Sequence, residues 1–557
     1  MLFLSVIGAR VIYLQIFHCD RLSDAAVKQV EKSVITLEGR GSIFDSKLRE
    51  IAVSIDMISI AASPKKLGDV RHTAKILSQM LKLDKDTLLK RLTSGRGFIW
   101  IKRQALPSEV EKIKSLQLKG ISFITERSRF YPHKTMAAQL LGFAGVDGHG
   151  LEGIEYFFNR ELKGASRKLT VLKDAHGREF EPPYGEIQPK GGYHIILTMD
   201  QTIQYIVETA LETGVKAAAA KSGMAVVMVP STGAILSMAN YPFFNPNAYS
   251  DYHQKWWRNR AITDPFEPGS TMKIFTAAAA LTSGLIDIQT LFYAENGKYA
   301  VGRNVVHDTH PYGWLTLEQI VKYSSNIGAI KVIEKIGPEL LYSTLGRFGF
   351  GEKTGINCPG ETTGMLSPVY RWTRIDASSI AFGQGISVSA IQLAMATGAI
   401  ANEGILMRPY VVQAVMDQNG GLVKQIKPKQ IRQAIPPVLA QTISQMMASV
   451  IEDGGTGTIA ALEGYTVCGK TGTAQKVDVG GYAKGKYVAS FVGFAPAEHP
   501  EIVVVVVIDE PQKSHYGGIV AAPVFKEISL KTLDYMNIPP KRDENRLTVS
   551  LGNGLRG

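Results

Sequence analysis

Cysteine is nearly absent. The 557-residue chain holds three, Cys19, Cys358 and Cys468, an odd number spread along the whole length. That spacing supports neither a disulfide framework nor a thiolate metal site. Cys468, on an expected strand, reads as a small buried residue and not as a reactive thiol. Long apolar runs are missing too. The most apolar stretch, residues 1–17, is interrupted by Arg10 and Gln15 and falls short of the about twenty residues that span a bilayer. It lacks the basic leader and small-residue cleavage site of a secretion signal. Three readings of it stand: a buried helix, a secretion signal, or the outer half of a membrane anchor. Zinc-finger, Walker and RNP patterns are absent, and the basic residues behind the net charge of +12 are scattered. The charge therefore reads as a solvated surface or an attraction for anionic lipid or polymer, with no nucleic-acid partner expected. No internal repeat is visible.

What is present describes a globular protein. Hydrophobic residues make up 45% and charged residues 20%, and the length allows two or three domains with a large core. One stretch organises the rest: Glu267-Pro268-Gly269-Ser270-Thr271-Met272-Lys273, followed by the apolar run 274–281. Pro268 and Gly269 interrupt the preceding structure, four successive alanines follow, and Gly284 stands past the end, so the pattern predicts a helix. Ser270 falls in its first turn, and Lys273, three residues on, shares its face. The helix is apolar nearly all round, which implies burial and a desolvated lysine. Desolvation favours the neutral amine, which can take the proton of a serine hydroxyl that is otherwise a weak nucleophile. The helix N-terminus favours the negative charge that develops as the serine attacks a carbonyl.

Ser-x-x-Lys by itself carries little, because Ser63-Pro64-Lys65-Lys66 fits it as well. Company separates the two copies. Ser63 has no such helix behind it and reads as surface, whereas Ser270 is followed by Ser324-Ser325-Asn326 and Lys470-Thr471-Gly472-Thr473. Thr316-Leu317-Glu318-Gln319 is a capping box that opens one helix, and a second helix is expected over 327–336. Ser324 and Asn326 then lie on a tight connection, where polar side chains can point into a cleft. Lys470 belongs to a strand expected over 465–475, beside Gly472, which lets a ligand approach the backbone. Its ammonium can attract a carboxylate that the Thr471 and Thr473 hydroxyls also bind. The backbone N–H groups of Ser270 and Thr473 can form an oxyanion hole. Ser324 can bridge Lys273 and Lys470 and pass a proton to a leaving amine, and Asn326 can orient a substrate amide. Burial and like charge single out Lys273 as the neutral base, while Lys470, on the strand lip, is expected to stay protonated. A second Lys-Thr-Gly, 353–355, sits in a glycine-bounded loop and reads as a turn.

The remaining pattern is that of an α/β protein of several domains. From about 191 onward come a strand (193–199), a long helix (201–220), a hairpin (224–229 and 234–239) around Pro230-Ser231-Thr232-Gly233, and three late strands (465–475, 487–496, 501–509). The unbroken valines of 503–507 imply a strand buried on both faces. An antiparallel sheet sandwiched by helices is the expected result. Ahead of it, short strands are expected within 34–54 and amphipathic helical stretches at 70–91 and 108–118, with 129–132 and 142–153 as loops and turns. These residues carry no catalytic constellation, and a scaffold or docking role is expected.

Taken together, the motifs resemble those of the class B penicillin-binding proteins, the peptidoglycan D,D-transpeptidases. The likeness runs over nearly the whole chain. Arg40-Gly41-Ser42-Ile43-Phe44-Asp45 resembles the family's pedestal motif, with Ser46-Lys47-Leu48 in place of the usual Arg-Asn-Gly. Arg129-Phe130-Tyr131-Pro132 and Gly150-Leu151-Glu152-Gly153-Ile154-Glu155 resemble its second and third motifs. Asn259-Arg260-Ala261 and Gly383-Gln384-Gly385-Ile386 match as well. Ser-x-Asn with Lys-Thr-Gly-Thr is similar to the cell-division (FtsI-type) branch, the elongation branch more often having Ser-x-Asp and Lys-Ser-Gly.

The resemblance implies a penicillin-binding transpeptidase fold preceded by an elongated α+β pedestal and an N-terminal membrane helix. Its divisions would be an anchor (1–17), a dimerisation-type pedestal (18–190), a transpeptidase domain (191–538) and a tail (539–557). It implies an acyl-enzyme on Ser270, formed from D-Ala-D-Ala stem peptides and passed to an amine acceptor in septal peptidoglycan synthesis, with β-lactams as inhibitors. Ser270, Lys273, Ser324, Asn326 and Lys470 would be catalytic, and Thr471, Gly472 and Thr473 substrate-binding, with no cofactor and no metal. Arg10 to Gln15 resembles the end of the family's anchor. That would make 1–17 part of a single-pass helix in the cytoplasmic membrane, with the bulk of the chain on the periplasmic or extracytoplasmic side. A polytopic glycan polymerase and other division proteins are the implied partners.

Rival readings are an elongation-type transpeptidase, a β-lactamase, a D,D-carboxypeptidase, and a non-catalytic sensor or division-complex subunit. A class A β-lactamase would need a deacylating glutamate in a Glu-x-x-Asn arrangement between the second and third motifs, and the sequence has none. A carboxypeptidase differs only in its acceptor. A sensor would need several membrane helices and a cytoplasmic effector domain.

Overall fold

Five antiparallel strands form the sheet that carries the third motif. In spatial order they are Ile235–Tyr241, Ser222–Met228, Ile502–Asp509, Gly481–Ala495 and Cys468–Asp478. The computed structural model describes residues 2–19, 21–22, 31–37, 39–163, 166–173, 179–180, 191–478 and 481–541. Residues 542–557 of the expected tail lie outside the described residues.

The valine run sits in the middle strand, as its composition requires. Val503 to Val507 are at most 1% exposed. With a side-chain period of two, Val503, Val505 and Val507 enter the core that contains helices Lys273–Thr282, Ala390–Ala401 and Pro437–Ser449. Val504 and Val506 enter the core with helices Gln201–Ala217 and Ala522–Tyr535. Each fully buried valine contributes on the order of 1.5–3 kcal/mol. Cys468–Asp478 lies at the sheet edge, so one row of its backbone groups is free of a strand partner. The strand starts three residues later than the expected 465, because Tyr465 turns back in a bridge to Leu462.

A second, N-terminal unit forms within residues 39–163. Strands Glu50–Ala62, Ile99–Ala105 and Ile121–Phe130 pack against helices Val70–Leu81, Lys85–Leu92 and Pro107–Ser115 around Ile60, Leu77, Leu88 and Ile101. The stretch 70–91 is therefore two helices. Lys82 adopts a left-handed conformation (φ 53°), and Asp84 caps the second helix by accepting from the Thr87 N–H. Arg129 and Phe130 end a strand instead of lying in a loop. Backbone of Glu31–Leu37 pairs with Ser166–Lys173, which pairs with Glu179–Phe180.

The two units are stitched together. Ile43–Phe44 pairs with Glu50–Ala62 on one side and, in parallel, with His194–Leu197 on the other, which in turn pairs with Val412–Met416. Glu155, wholly buried, receives Arg40 Nε and Arg129 Nε at 2.5 Å each and the Tyr131 hydroxyl at 3.2 Å. Burial alone would raise this carboxyl; Arg129 and Arg40 outweigh it and hold it below the ordinary carboxylate value. Asp45 accepts from the Arg49 guanidinium at 2.7 Å and from the Gln201 N–H at 3.1 Å, at the start of the long helix. The intervening Leu48 has φ 62°, at the position where the family motif carries glycine.

Leu2–Phe17 is a helix of 16 residues with Phe3, Leu4, Ile16 and Phe17 exposed. Among the described residues no helix is long and apolar enough to cross a membrane.

Candidate active site

Ser270 sits on a single 3₁₀ turn, Gly269–Met272, that runs directly into the α-helix Lys273–Thr282. The turn is wedged between two neighbours, which is why position 269 is glycine. Its φ is 55°, its N–H donates to Gly383 O at 3.0 Å, and a Cβ there would meet Thr473 O at 2.6 Å. Gly472 completes the contact from the strand side, since a Cβ on it would lie 2.8 Å from Pro268 O. Backbone of the Ser270 turn and of the Lys470 strand edge thus touch, which brings the Ser270 and Thr473 segments side by side.

Lys273 opens the α-helix and is 1% exposed. Its Nζ lies 3.0 Å from Ser270 Oγ, 2.5 Å from Ser324 O, 2.7 Å from Asn326 Oδ1 and 3.2 Å from Ser324 Oγ. Ser324 O and Asn326 Oδ1 are carbonyl oxygens that can only accept. A neutral amine that donates its two hydrogens to them keeps its lone pair for the Ser270 hydroxyl.

Ser324 holds its place through an unusual helix ending. The helix Leu317–Lys322, opened by the Thr316–Gln319 capping box, stops at Tyr323, and the Ser325 N–H returns to Ile320 O at 3.1 Å. That is the Schellman pattern, which places the residue after the cap in the left-handed region and favours glycine there. Here that residue is Ser324, with φ 62°. Ser325 then caps the helix Asn326–Ile336 by accepting from the Gly328 N–H at 2.8 Å. Three residues, Tyr323 to Ser325, separate the helices, and the strained Ser324 aims its hydroxyl between the lysines.

Lys470 is buried, not on the strand lip as its sequence context suggested. It is 0% exposed, and its Nζ reaches Ser324 Oγ at 3.0 Å, Thr471 O at 3.3 Å and Thr471 Oγ1 at 3.4 Å. Burial, and after it the neighbouring Lys273, push Lys470 well below the ordinary lysine value. Burial likewise lowers Lys273 to about 7, with Asp308 pulling the other way. This burial disfavours the charged form expected of a lysine on a strand lip. The physical reason lies in its partners: all are neutral, so an ammonium there has no counter-charge among them. Thr471 Oγ1 lies 3.0 Å from Thr456 Oγ1, and Thr473 Oγ1 accepts from the Gly517 N–H at 3.2 Å.

The chain matches the family model described as penicillin binding protein transpeptidase domain over residues 223–530, and that of the penicillin-binding protein dimerisation domain over 36–197. It belongs to the penicillin-binding proteins. This penicillin-binding protein is 35% identical to the probable peptidoglycan D,D-transpeptidase PenA of Neisseria meningitidis serogroup A, covering 96% of this chain and 91% of the relative. It is also 35% identical to the peptidoglycan D,D-transpeptidase FtsI of Escherichia coli K12, over 100% of this chain and 94% of the relative. The crystal structure of penicillin-binding protein 3 from Mycobacterium tuberculosis complexed with aztreonam superposes with a TM-score of 0.71 at 26% identity. That alignment covers 91% of this chain and 98% of the other.

All three motifs of this penicillin-binding protein converge, while the second copies stay apart. Ser63 precedes a short 3₁₀ turn in the N-terminal unit. Thr354 and Gly355 are bound into a loop by the Glu361 carboxylate, with Gly355 at φ 76°. Two residues beside the site escaped sequence reasoning. Glu267, inside the first motif, accepts from the Gly385 N–H at 2.9 Å and from the Tyr482 hydroxyl at 3.3 Å, and burial raises its carboxyl. Its position three residues before Ser270 was the available signal. Asp308 touches the Ser-x-Asn turn and had no signal, since only the fold brings it there. Among the described residues no cluster of three or more His, Cys, Asp or Glu side chains could hold a metal ion.

Proposed function

We propose that this class B penicillin-binding protein is a serine D,D-transpeptidase that cross-links peptidoglycan stem peptides at the division septum. The observation that carries the chemistry is the Lys273 Nζ, 3.0 Å from Ser270 Oγ and within 2.5 and 2.7 Å of the carbonyl oxygens Ser324 O and Asn326 Oδ1. In the first half-reaction Lys273 takes the Ser270 proton as Oγ attacks the carbonyl of the penultimate D-Ala. The N–H groups of Ser270 and Thr473 receive the oxyanion. Ser324, hydrogen-bonded to both lysines, delivers a proton to the departing D-Ala amine. Lys470 binds the substrate's terminal carboxylate with Thr471, Gly472 and Thr473 around it. The substrate carboxylate supplies a counter-charge that the neutral partners of Lys470 do not, and so favours its protonated form. In the second half-reaction an amine acceptor attacks the acyl ester, loses its proton to the same relay, and frees Ser270.

The septal assignment is supported by Ser-x-Asn with Lys-Thr-Gly-Thr and by likeness to a relative named FtsI. In this reading residues 1–17 belong to a single-pass cytoplasmic-membrane helix and residues 18–190 form a pedestal that presents the transpeptidase domain (191–538) outside that membrane. The exposed apolar side chains of Leu2–Phe17 support it. A polytopic glycan polymerase and other division proteins are the proposed partners. A fluorescent penicillin should label the protein covalently on Ser270, stably and at one site. An adduct mapped to Ser63, or undiminished labelling of Ser270→Ala, defeats the assignment. Incubation with a D-Ala-D-Ala peptide and an amine acceptor should yield the transpeptidation product; hydrolysis alone would make the protein a carboxypeptidase, and rapid turnover of the penicillin a β-lactamase.

A further inference from the structure

A carboxylate stands behind the second motif. Asp308, at the end of the hairpin formed by Lys298–Val301 and Asn304–His307, accepts the Ser325 hydroxyl at 2.5 Å on Oδ2. Its Oδ1 accepts the Asn326 N–H at 2.5 Å and the Ile327 N–H at 3.1 Å. These are among the unpaired donors at the start of the helix Asn326–Ile336, so a residue 18 positions upstream in the chain completes that helix cap. The preceding carbonyl, His307 O, accepts Asn326 Nδ2 at 3.1 Å. With its amide nitrogen held there, Asn326 turns Oδ1 toward Lys273 Nζ.

We infer that Asp308 is a positioning residue for the transpeptidation chemistry: it locks the Ser-x-Asn turn against the reacting groups and sets a carboxylate on the backbone N–H of Asn326, the residue whose side chain holds Lys273. The inference rests on the reading of Ser270 as the acylated nucleophile. Around Lys273 stand the neutral groups Ser270, Ser324 and Asn326, the cation-forming Lys470, and the Asp308 carboxylate. Burial lowers Lys273, and Asp308 opposes it. Near Asp308 are Tyr312 and Tyr323, stacked at 5.5 Å, and the exposed His307 and His310. Tyr312 is pushed up by burial and then by Asp308, so it stays neutral near pH 7. Neutralising Asp308 therefore deepens the depression of Lys273: the base becomes available at lower pH and is weaker when available.

The test is the rate of acylation by a fluorescent penicillin from about pH 5.5 to about pH 9, on the parent chain, Asp308→Asn and Asp308→Glu. Asp308→Asn keeps an acceptor oxygen for the backbone N–H groups and removes the charge. Its inflection should move to lower pH, with a plateau about 3–10-fold lower. Asp308→Glu should keep the parent inflection. If Asp308→Asn does not fold, Asp308→Ser, which also offers a neutral cap oxygen, answers the same question. An unmoved inflection with only a lowered plateau would mean that Asp308 is a helix cap and nothing more. A shift that appears instead in His307→Gln/His310→Gln also overturns the inference. Failure of the parent chain to be acylated at all would refute the nucleophile assignment, a separate outcome from either.

Discussion

Ser324 combines two burdens that point in opposite directions, and replacing it should separate them. Its φ of 62° lies in the left-handed region, which a non-glycine residue enters at about 1–2 kcal/mol. Glycine avoids that strain but loses about 0.5–1 kcal/mol of extra freedom in the unfolded chain. The net gain for Ser324→Gly over Ser324→Ala is thus about 0.5–1 kcal/mol, since both variants remove the hydroxyl and differ only in backbone freedom. For a domain of this size that corresponds to about 1–2 °C in Tm. Leu48 is the calibrating position: φ is again 62°, it is 58% exposed, and it lies in the N-terminal unit. Leu48→Gly should gain a similar increment with acylation unchanged. Ser324→Gly should gain it while losing about 10²–10⁴-fold in acylation, because the hydroxyl 3.0 Å from Lys470 Nζ and 3.2 Å from Lys273 Nζ no longer relays a proton. Replicate calorimetric scans and a fluorescent-penicillin time course measure the two effects. A Ser324→Gly protein no more stable than Ser324→Ala, or one acylated within about threefold of the parent rate, would refute the account of a strained turn held for chemistry.

Acylation of the parent chain should rise with pH through about 7, because only the deprotonated Lys273 accepts the Ser270 proton; a rate flat from about pH 6 to about pH 8.5 would contradict this. Lys273→Ala should nearly abolish acylation, by about 10²–10⁴-fold, whereas Lys470→Arg should weaken capture at low β-lactam yet leave some acylation at high concentration. Near-parent acylation of Lys273→Ala together with a Lys470→Arg protein inactive at saturation would reverse the two roles. Glu155→Gln leaves Arg40 and Arg129, whose side chains are 5% and 3% exposed, buried without their counter-ion. It should destabilise the protein by about 3–5 kcal/mol, and an unchanged thermal midpoint would count against the buried ion triad as a structural lock.

Local chemistry made much of this protein legible in advance. The valine run declared a strand with two buried faces, because periodicity and composition act over a few residues. Serine and lysine three apart, proline and glycine before them and glycine after, described a helix start with a paired nucleophile and base. The capping box at Thr316 and the glycine-rich loop holding the second Lys-Thr-Gly were readable in the same way. Less local features were not. The break within 70–91 depends on Lys82 entering the left-handed region and Asp84 capping the second helix, and the amphipathic pattern runs straight through both. The strand Ile43–Phe44 pairs with His194–Leu197, joining segments on either side of residue 190 that composition separates.

The environment of Lys470 was decided by the tertiary structure alone. Alternation along a strand says which residues share a face, and it does not say what covers that face. Lys470 is buried because the Ser270 helix and the Ser324 turn close over it, from 146 residues away in the case of Ser324. Its depression arises from that dielectric and from Lys273 beside it, neither of which any window of sequence contains. Asp308 reaches the same centre through a hairpin whose residues carry no motif. The sequence determined which chemical groups this protein owns and the short-range geometry of Ser270 and Lys273; the fold decided which of them meet, in how little water, and therefore which protons they keep.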